Sequence, residues 1–241
     1  MIQLRWLGAI RHAESTGNQA ADRAERSGAE QLDLATRDPD IPLSPQGEQQ
    51  AAALRRWLKR RSVQPDLLLA SPYARAVQTA YLAADGLGLP LAFDERLRDR
   101  ELGMLDLLTT TGVLTRFPHE AERRRRLGKF YYRPPGGESW ADVAFRVRAV
   151  LGDLRRDYGG AAVLVFTHDV VVQMMRYVID GLSEADVVRV SHESVIANAS
   201  ISSWASGPDG RLHAEVFNDV QHLLAEGTAP TLEEGVRDEP L

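Results

Sequence analysis

Three short apolar runs, residues 3–10, 66–70 and 162–166, stand out from a chain that is otherwise amphipathic or polar. Each is too short for a buried helix and each gives way to a helical pattern, which reads as strand followed by helix. Ser44 and Pro45 make a cap and first turn, and Ala51, Leu54 and Leu58 then recur on one helical face to about Arg61. Ser71 and Pro72 read the same way, which sets Arg75 in a first helical turn. Ser139 with Asp142 resembles a capping box. The stripe Val143, Val147, Val150, Leu151, Leu154 predicts a long helix ending near Gly159 and Gly160. A Val- and Met-rich helix follows the third strand to about Ile179, and residues 91–93 suit a short strand. From Asn198, the alternation over 200–205, the turn Gly207-Pro-Asp-Gly210 and residues 212–217 predict an edge hairpin.

The polar stretches fit less easily. Residues 19–42 read as a surface excursion able to reach over a pocket, and residues 116–133 are very basic. Alternating strands and helices predict an α/β fold, a three-layer α/β/α arrangement with a mostly parallel central sheet and an antiparallel edge strand. One domain over residues 1–220 and a loosely held tail over 221–241 complete the expectation.

Composition narrows the function. The formal charge of −5 argues against a nucleic-acid or anionic-membrane partner. There is no cysteine, hence no disulfide framework and no thiolate metal site. No apolar run approaches the ~18 residues of a membrane span, and residue 1 onward shows no charged leader with a long apolar segment, so a cytoplasmic location is expected.

In a parallel sheet the strand C-terminal ends share one edge, where ligands bind. Here three such ends deliver Arg11 and His12, Arg75, and His168. Arginine forks hold phosphoryl oxygens bidentately, and a neutral imidazole can attack phosphorus. The sequence has no Asp/Glu/His cluster at ligand spacing, no phosphate-cradling glycine loop and no Gly-x-Ser-x-Gly elbow, so neither metal nor cofactor is expected.

Taken together, Arg11-His-Ala-Glu-Ser with Asn18, Leu43-Ser-Pro-Gln-Gly47, Ser71-Pro-Tyr-Ala-Arg-Ala-Val-Gln-Thr79, Gly137-Glu-Ser139 and Thr167-His168 resemble, in order, the blocks of the histidine phosphatase superfamily, the phosphoglycerate mutase-like enzymes. The resemblance covers about residues 3–218. It implies that His12 becomes phosphohistidine, that Arg11, Arg75 and His168 hold the phosphoryl group, and that Asn18 contributes to the pocket. Leu97-Arg-Asp99-Arg-Glu-Leu-Gly103 matches the family's acid block, which makes Asp99 the proton donor and Glu101 its understudy. Three positions depart from the pattern: Ala13 for glycine, Asp169 after the second histidine, and Asp99 for glutamate.

The segment 129–139 is similar to the fructose 2,6-bisphosphate phosphatase branch, where basic residues hold a second phosphate; by that likeness Lys129 and Arg125 become specificity residues. The resulting expectation is a phosphomonoester hydrolase acting on small phosphorylated metabolites, sugar phosphates among them. A phosphoglycerate mutase and a non-catalytic phosphate or phosphopeptide binder are the alternatives. The hairpin edge leaves room for a homodimer.

Overall fold

A computed structural model describes residues 3–61 and 64–232. Strands β1 (Trp6–Arg11), β2 (Leu67–Ala70), β3 (Leu91–Phe93), β4 (Ala162–Thr167), β5 (Ile201–Ser206) and β6 (Leu212–Asp219) form one sheet in the order β3-β2-β4-β1-β5-β6. The first four in that order run parallel, while β5 is antiparallel to β1 and β6 to β5. The antiparallel part is therefore a two-stranded hairpin, with β6 as the open edge.

Alternate residues of β4 enter two separate cores. Val163 and Val165 pack on one face of the sheet, Leu164 and Phe166 on the other. Burial on both faces is why the run reads as continuously apolar. The first core is closed by α6 (Trp140–Asp157) and α7 (Asp169–Ile179), through Val143, Val147, Leu151, Met174 and Met175. The second is closed by α2 (Pro45–Arg60), α3 (Ala74–Ala84) and α9 (Gln221–Ala225), through Leu54, Leu58, Ala80, Ala83 and Leu223. These are the three expected layers. Ser44 caps α2 and the Ser139/Asp142 capping box opens α6, as their sequences predict.

Several expectations are corrected. The stretch 19–42 is not all excursion, because α1 (Thr16–Ser27) opens it on a Ser15/Asn18 capping box. Its only buried residues are Ala20 and Ala24, too small to print a hydrophobic stripe. Helix α3 begins at Ala74 with Tyr73 in the cap position, which frees Ser71 for another partner. The arginine run lies on α5 (Pro118–Tyr131); α4 (Thr110–Arg116) and α8 (Glu184–Glu193) had no clear sequence signal.

The first part of the tail is not loose. Leu223 is fully buried, and the Thr231 hydroxyl donates to Asn198 Oδ1 at 3.0 Å while accepting from Gln50 Nε2 at 3.0 Å. Partners buried elsewhere in the fold hold it, which no local pattern announces. The rest of that expectation, over 233–241, lies outside the described residues. Among the described residues no helix is long and apolar enough to cross a membrane.

Candidate active site

Neighbouring strand ends are stitched directly to one another. The His12 amide donates to Thr167 O at 2.8 Å and the Ser71 amide to Phe166 O at 2.9 Å, so the residues that follow β1, β2 and β4 meet at one edge. The rings of His12 and His168 have centroids 5.1 Å apart. Arg11, His12, Arg75 and Asp99 line a cleft of about 330 Å³.

The state of each imidazole follows from its partners. His12 Nδ1 lies 2.8 Å from the Ala13 carbonyl oxygen, which can only accept; Nδ1 therefore carries the proton and Nε2 the lone pair. Burial, with Arg75, His168 and Arg11 close by, holds His12 well below the usual histidine range, hence neutral. His168 Nε2 lies 2.8 Å from Ser71 Oγ and its Nδ1 lies 3.2 Å from Asp99 Oδ2. Burial pushes His168 down to about 4 in spite of Asp99.

Two carboxylates bracket Arg75. Its Nη2 donates to Asp99 Oδ2 at 3.0 Å, and its Nη1 donates to the Asp38 carbonyl at 2.7 Å and pairs with Asp38 Oδ1 at 3.0 Å. Burial opposes the charge of Asp99, yet His168 and Arg75 hold it well below the usual carboxylate range. Burial pushes Asp38 up to about 6, even against Arg75. Arg11 is 2% exposed, and its Nη1 donates to the Ile196 carbonyl.

The remaining sequence blocks turn out to be scaffolding. Glu14 O accepts from the Ser44 amide at 2.9 Å, and a Cβ at Gly47 would sit 2.0 Å from that same oxygen. Only glycine permits that approach, which ties the start of α2 to the loop after His12. The Ala13 amide donates to Thr79 Oγ1 at 3.0 Å. The loop carrying Asp99 is held by Arg146, which donates to Asp99 O at 3.1 Å and Arg96 O at 2.6 Å, and Glu138 pairs with Arg98 at 2.7 Å and with Arg146 at 3.1 Å. Thr167 Oγ1 donates to Leu97 O at 2.8 Å, tying the same loop to β4.

The outer residues divide. Asn18 lines the cleft, and its Oδ1 accepts from the Ser15 amide at 3.0 Å and from Asn198 Nδ2 at 3.2 Å. Glu101 lies at the rim and accepts from the Tyr73 hydroxyl at 2.7 Å. Lys129 lines the cleft with Nζ 4.8 Å above the Trp140 ring, and burial pushes it down to about 8.

Arg125 does not line the cleft. It is 65% exposed, pairs with Glu122 at 2.6 Å and points away; Arg124 takes the cleft position instead. One residue turns a helix by about 100°, so a run of four arginines does not reveal which faces inward.

Sequence reasoning missed Asp38, Ser71, Asn198 and the Glu138–Arg146 pair as parts of the site. Ser71 was hidden by its resemblance to a cap, and Asp38 sits in a stretch with no apolar period. The metal reading also changes: His12, Asp99 and His168, distant in sequence, bring ligand atoms within 4.8 Å of one another, a cluster able to hold a metal ion. The guanidiniums of Arg11 and Arg75 beside it favour an anion over a cation.

Residues 7–219 match the family model of the histidine phosphatase superfamily (branch 1). A 2,3-bisphosphoglycerate-dependent phosphoglycerate mutase of Methylobacterium radiotolerans is 33% identical over 188 residues, 76% of this chain and 82% of that protein. A 6-phosphofructo-2-kinase/fructose-2,6-bisphosphatase of Gallus gallus is 31% identical over 161 residues, 66% of this chain but only 33% of that longer protein. Among solved structures, a mycobacterial glucosyl-3-phosphoglycerate phosphatase in complex with inorganic phosphate superposes with a TM-score of 0.71 at 25% identity, covering 90% of this chain and 99% of its own.

Proposed function

The chain belongs to the histidine phosphatase superfamily (branch 1), and from that premise we propose that it hydrolyses phosphomonoesters of small metabolites through a phosphohistidine on His12. One observation carries the reading: a neutral imidazole with its lone pair on Nε2 lies in a cleft that two buried guanidiniums share. That is a nucleophile beside preorganised positive charge, the combination phosphoryl transfer needs.

In this reading Arg11, Arg75 and His168 bind the phosphoryl oxygens while His12 Nε2 attacks phosphorus. The bond from phosphorus to the ester oxygen breaks, and Asp99 gives that oxygen its proton. Water then attacks the phosphohistidine, Asp99 takes the water's proton, and phosphate leaves. Asp99 is ionised in the free site, the wrong state for an acid. A bound phosphate dianion supplies the correction, because its negative charge competes for Arg75 and His168 and raises the proton affinity of the carboxylate. Arg75 must also exchange Asp38 for the substrate. Asn18 and Lys129 are assigned to substrate contact and Glu101 to the rim; Arg125 is not included.

The mutase reading is supported by the 33% identity to one mutase and by 30% identity over 205 residues to probable phosphoglycerate mutases. It differs only in what accepts the phosphoryl group, a second substrate hydroxyl instead of water, and product analysis with 3-phosphoglycerate and its bisphosphate separates the two. The central experiment is a phosphate-release screen over a metabolite panel, joined to rapid alkaline quench and mass spectrometry. Substrate-dependent phosphate on His12 and its absence in His12→Ala, with turnover down about four orders of magnitude or more, are the expected results. Binding without label or turnover would instead leave a phosphate-binding module.

A further inference from the structure

The cleft has an outer arm that the chemistry above does not use. Leu32, Leu34, Leu107, Leu108, Val113 and Leu114 line it. None of the six joins either hydrophobic core. Five are half-buried and Leu114 is 48% exposed.

This wall is a built structure. The strap after α1 and the segment before α4 pair through a Gln31–Leu108 bridge and a Leu32 amide to Leu107 O bond of 2.8 Å. Thr109 Oγ1 donates to Ala29 O at 2.6 Å, and a Cβ at Gly112 would lie 1.8 Å from Glu30 O, so the two segments are in contact along their backbones. Leu107 adopts φ 61°, a left-handed conformation that disfavours a branched side chain and persists only where its surroundings impose it. Apolar side chains fixed in this way, outside the cores and continuous with the phosphoryl anchor, are the lining of a ligand site. Glu25, Asp106 and Thr110 stand at the edge of the leucines, and toward α5 the lining turns polar, with Arg124, Lys129, Asp169 and Ser191.

We infer that the outer arm receives the organic part of the substrate and that this part is apolar: the ester is the phosphate of an alcohol bearing a hydrocarbon or aromatic body, not of a compact polyol. The inference rests on the hydrolase reading, which places the phosphoryl group at His12. It names a substrate class different from the second-anion substrate that the basic segment suggests.

A series of n-alkyl phosphates from ethyl to hexyl tests it. The leaving alcohols are almost equally basic, so the chemical step is constant and the slope reports burial alone. The expected result is a rise in kcat/KM of about threefold per methylene, and a hexyl-to-ethyl ratio that collapses toward one in a Leu34→Ser, Leu114→Ser double variant. Should that variant fail to fold, the wild-type slope decides. A flat series, on an enzyme that releases phosphate from ethyl phosphate and labels His12, overturns the apolar arm and leaves the hydrolase standing. A sugar bisphosphate that outcompetes hexyl phosphate overturns it in favour of the cationic arm. No phosphate release from any ester and no label on His12 would overturn both readings.

Discussion

The two ends of the cleft are built on different principles. At the inner end, Arg11, His12, Ser71 and His168 directly follow or close strands of one sheet, and all four are at most 2% exposed. The outer apolar wall stands on a strap, the segment before α4 and α4 itself, and its six residues are half-buried or exposed. Strand ends locked in a sheet hold groups to the tolerance that attack on phosphorus requires. Loops and short helices tolerate substitution and shape what else fits. On the proposed function, the difference teaches that reaction type would belong to the sheet and substrate choice to its connections.

Substitutions at the inner end are the strongest way to break this division. Asp99→Asn removes the only carboxylate that contacts both His168 and Arg75 among the described residues. Turnover of an alkyl phosphate should fall about 10²–10⁴-fold, and that of nitrophenyl phosphate, whose leaving group needs no proton, much less. Equal losses on both esters in steady-state assays would remove Asp99 from the acid role.

Ser71→Ala is expected to act next most strongly. It leaves the buried His168 Nε2 without its partner, so kcat should drop about tenfold and denaturant unfolding should show a loss of about 1–2 kcal/mol. An unchanged kcat would place Ser71 outside the phosphoryl end.

Asp38→Asn probes the boundary between the two ends, where the strap touches Arg75. Asp38 has its carboxyl raised to about 6, so it is neutral below that pH and ionises as pH rises through it. Ionised, it competes with the phosphoryl group for Arg75. KM in the wild type should therefore climb a few-fold from pH 5 to 7 beyond the change caused by substrate ionisation, and the variant should lack that extra climb. His12 does not confuse the measurement, because its lowered pKa keeps the imidazole neutral across the window. Identical KM–pH profiles would show that Asp38 merely supports the strap.

The smallest effect sharpens the cationic side of the cleft, beside α5. Arg125→Ala should leave kcat/KM within about twofold, as expected for an exposed arginine paired on its own helix. Arg124→Ala, from the cleft position, should shift KM by more. The reverse order would return the specificity role to Arg125.

What could be read from the chain beforehand follows the same line. The strands β1, β2 and β4 were legible because burial on both faces makes an uninterrupted apolar run, and Arg11, His12 and His168 were legible because they sit where those runs stop. Helix α1 was not, since its core contact is two alanines. The neighbour of His168 was not, because a Ser-Pro pair signals a cap just as well as a hydrogen-bond donor aimed across the sheet.

Apolar run length and helix-start chemistry, both local, thus determined the layered fold and brought Arg11, His12, Arg75 and His168 to one edge. Tertiary structure alone decided that Asp38 reaches Arg75 across 37 positions, that Arg124 and not Arg125 faces the cleft, and that leucines from two distant segments form one wall. Those outcomes depend on how separate segments meet in space, and a one-dimensional pattern carries no information about the angle at which a side chain arrives.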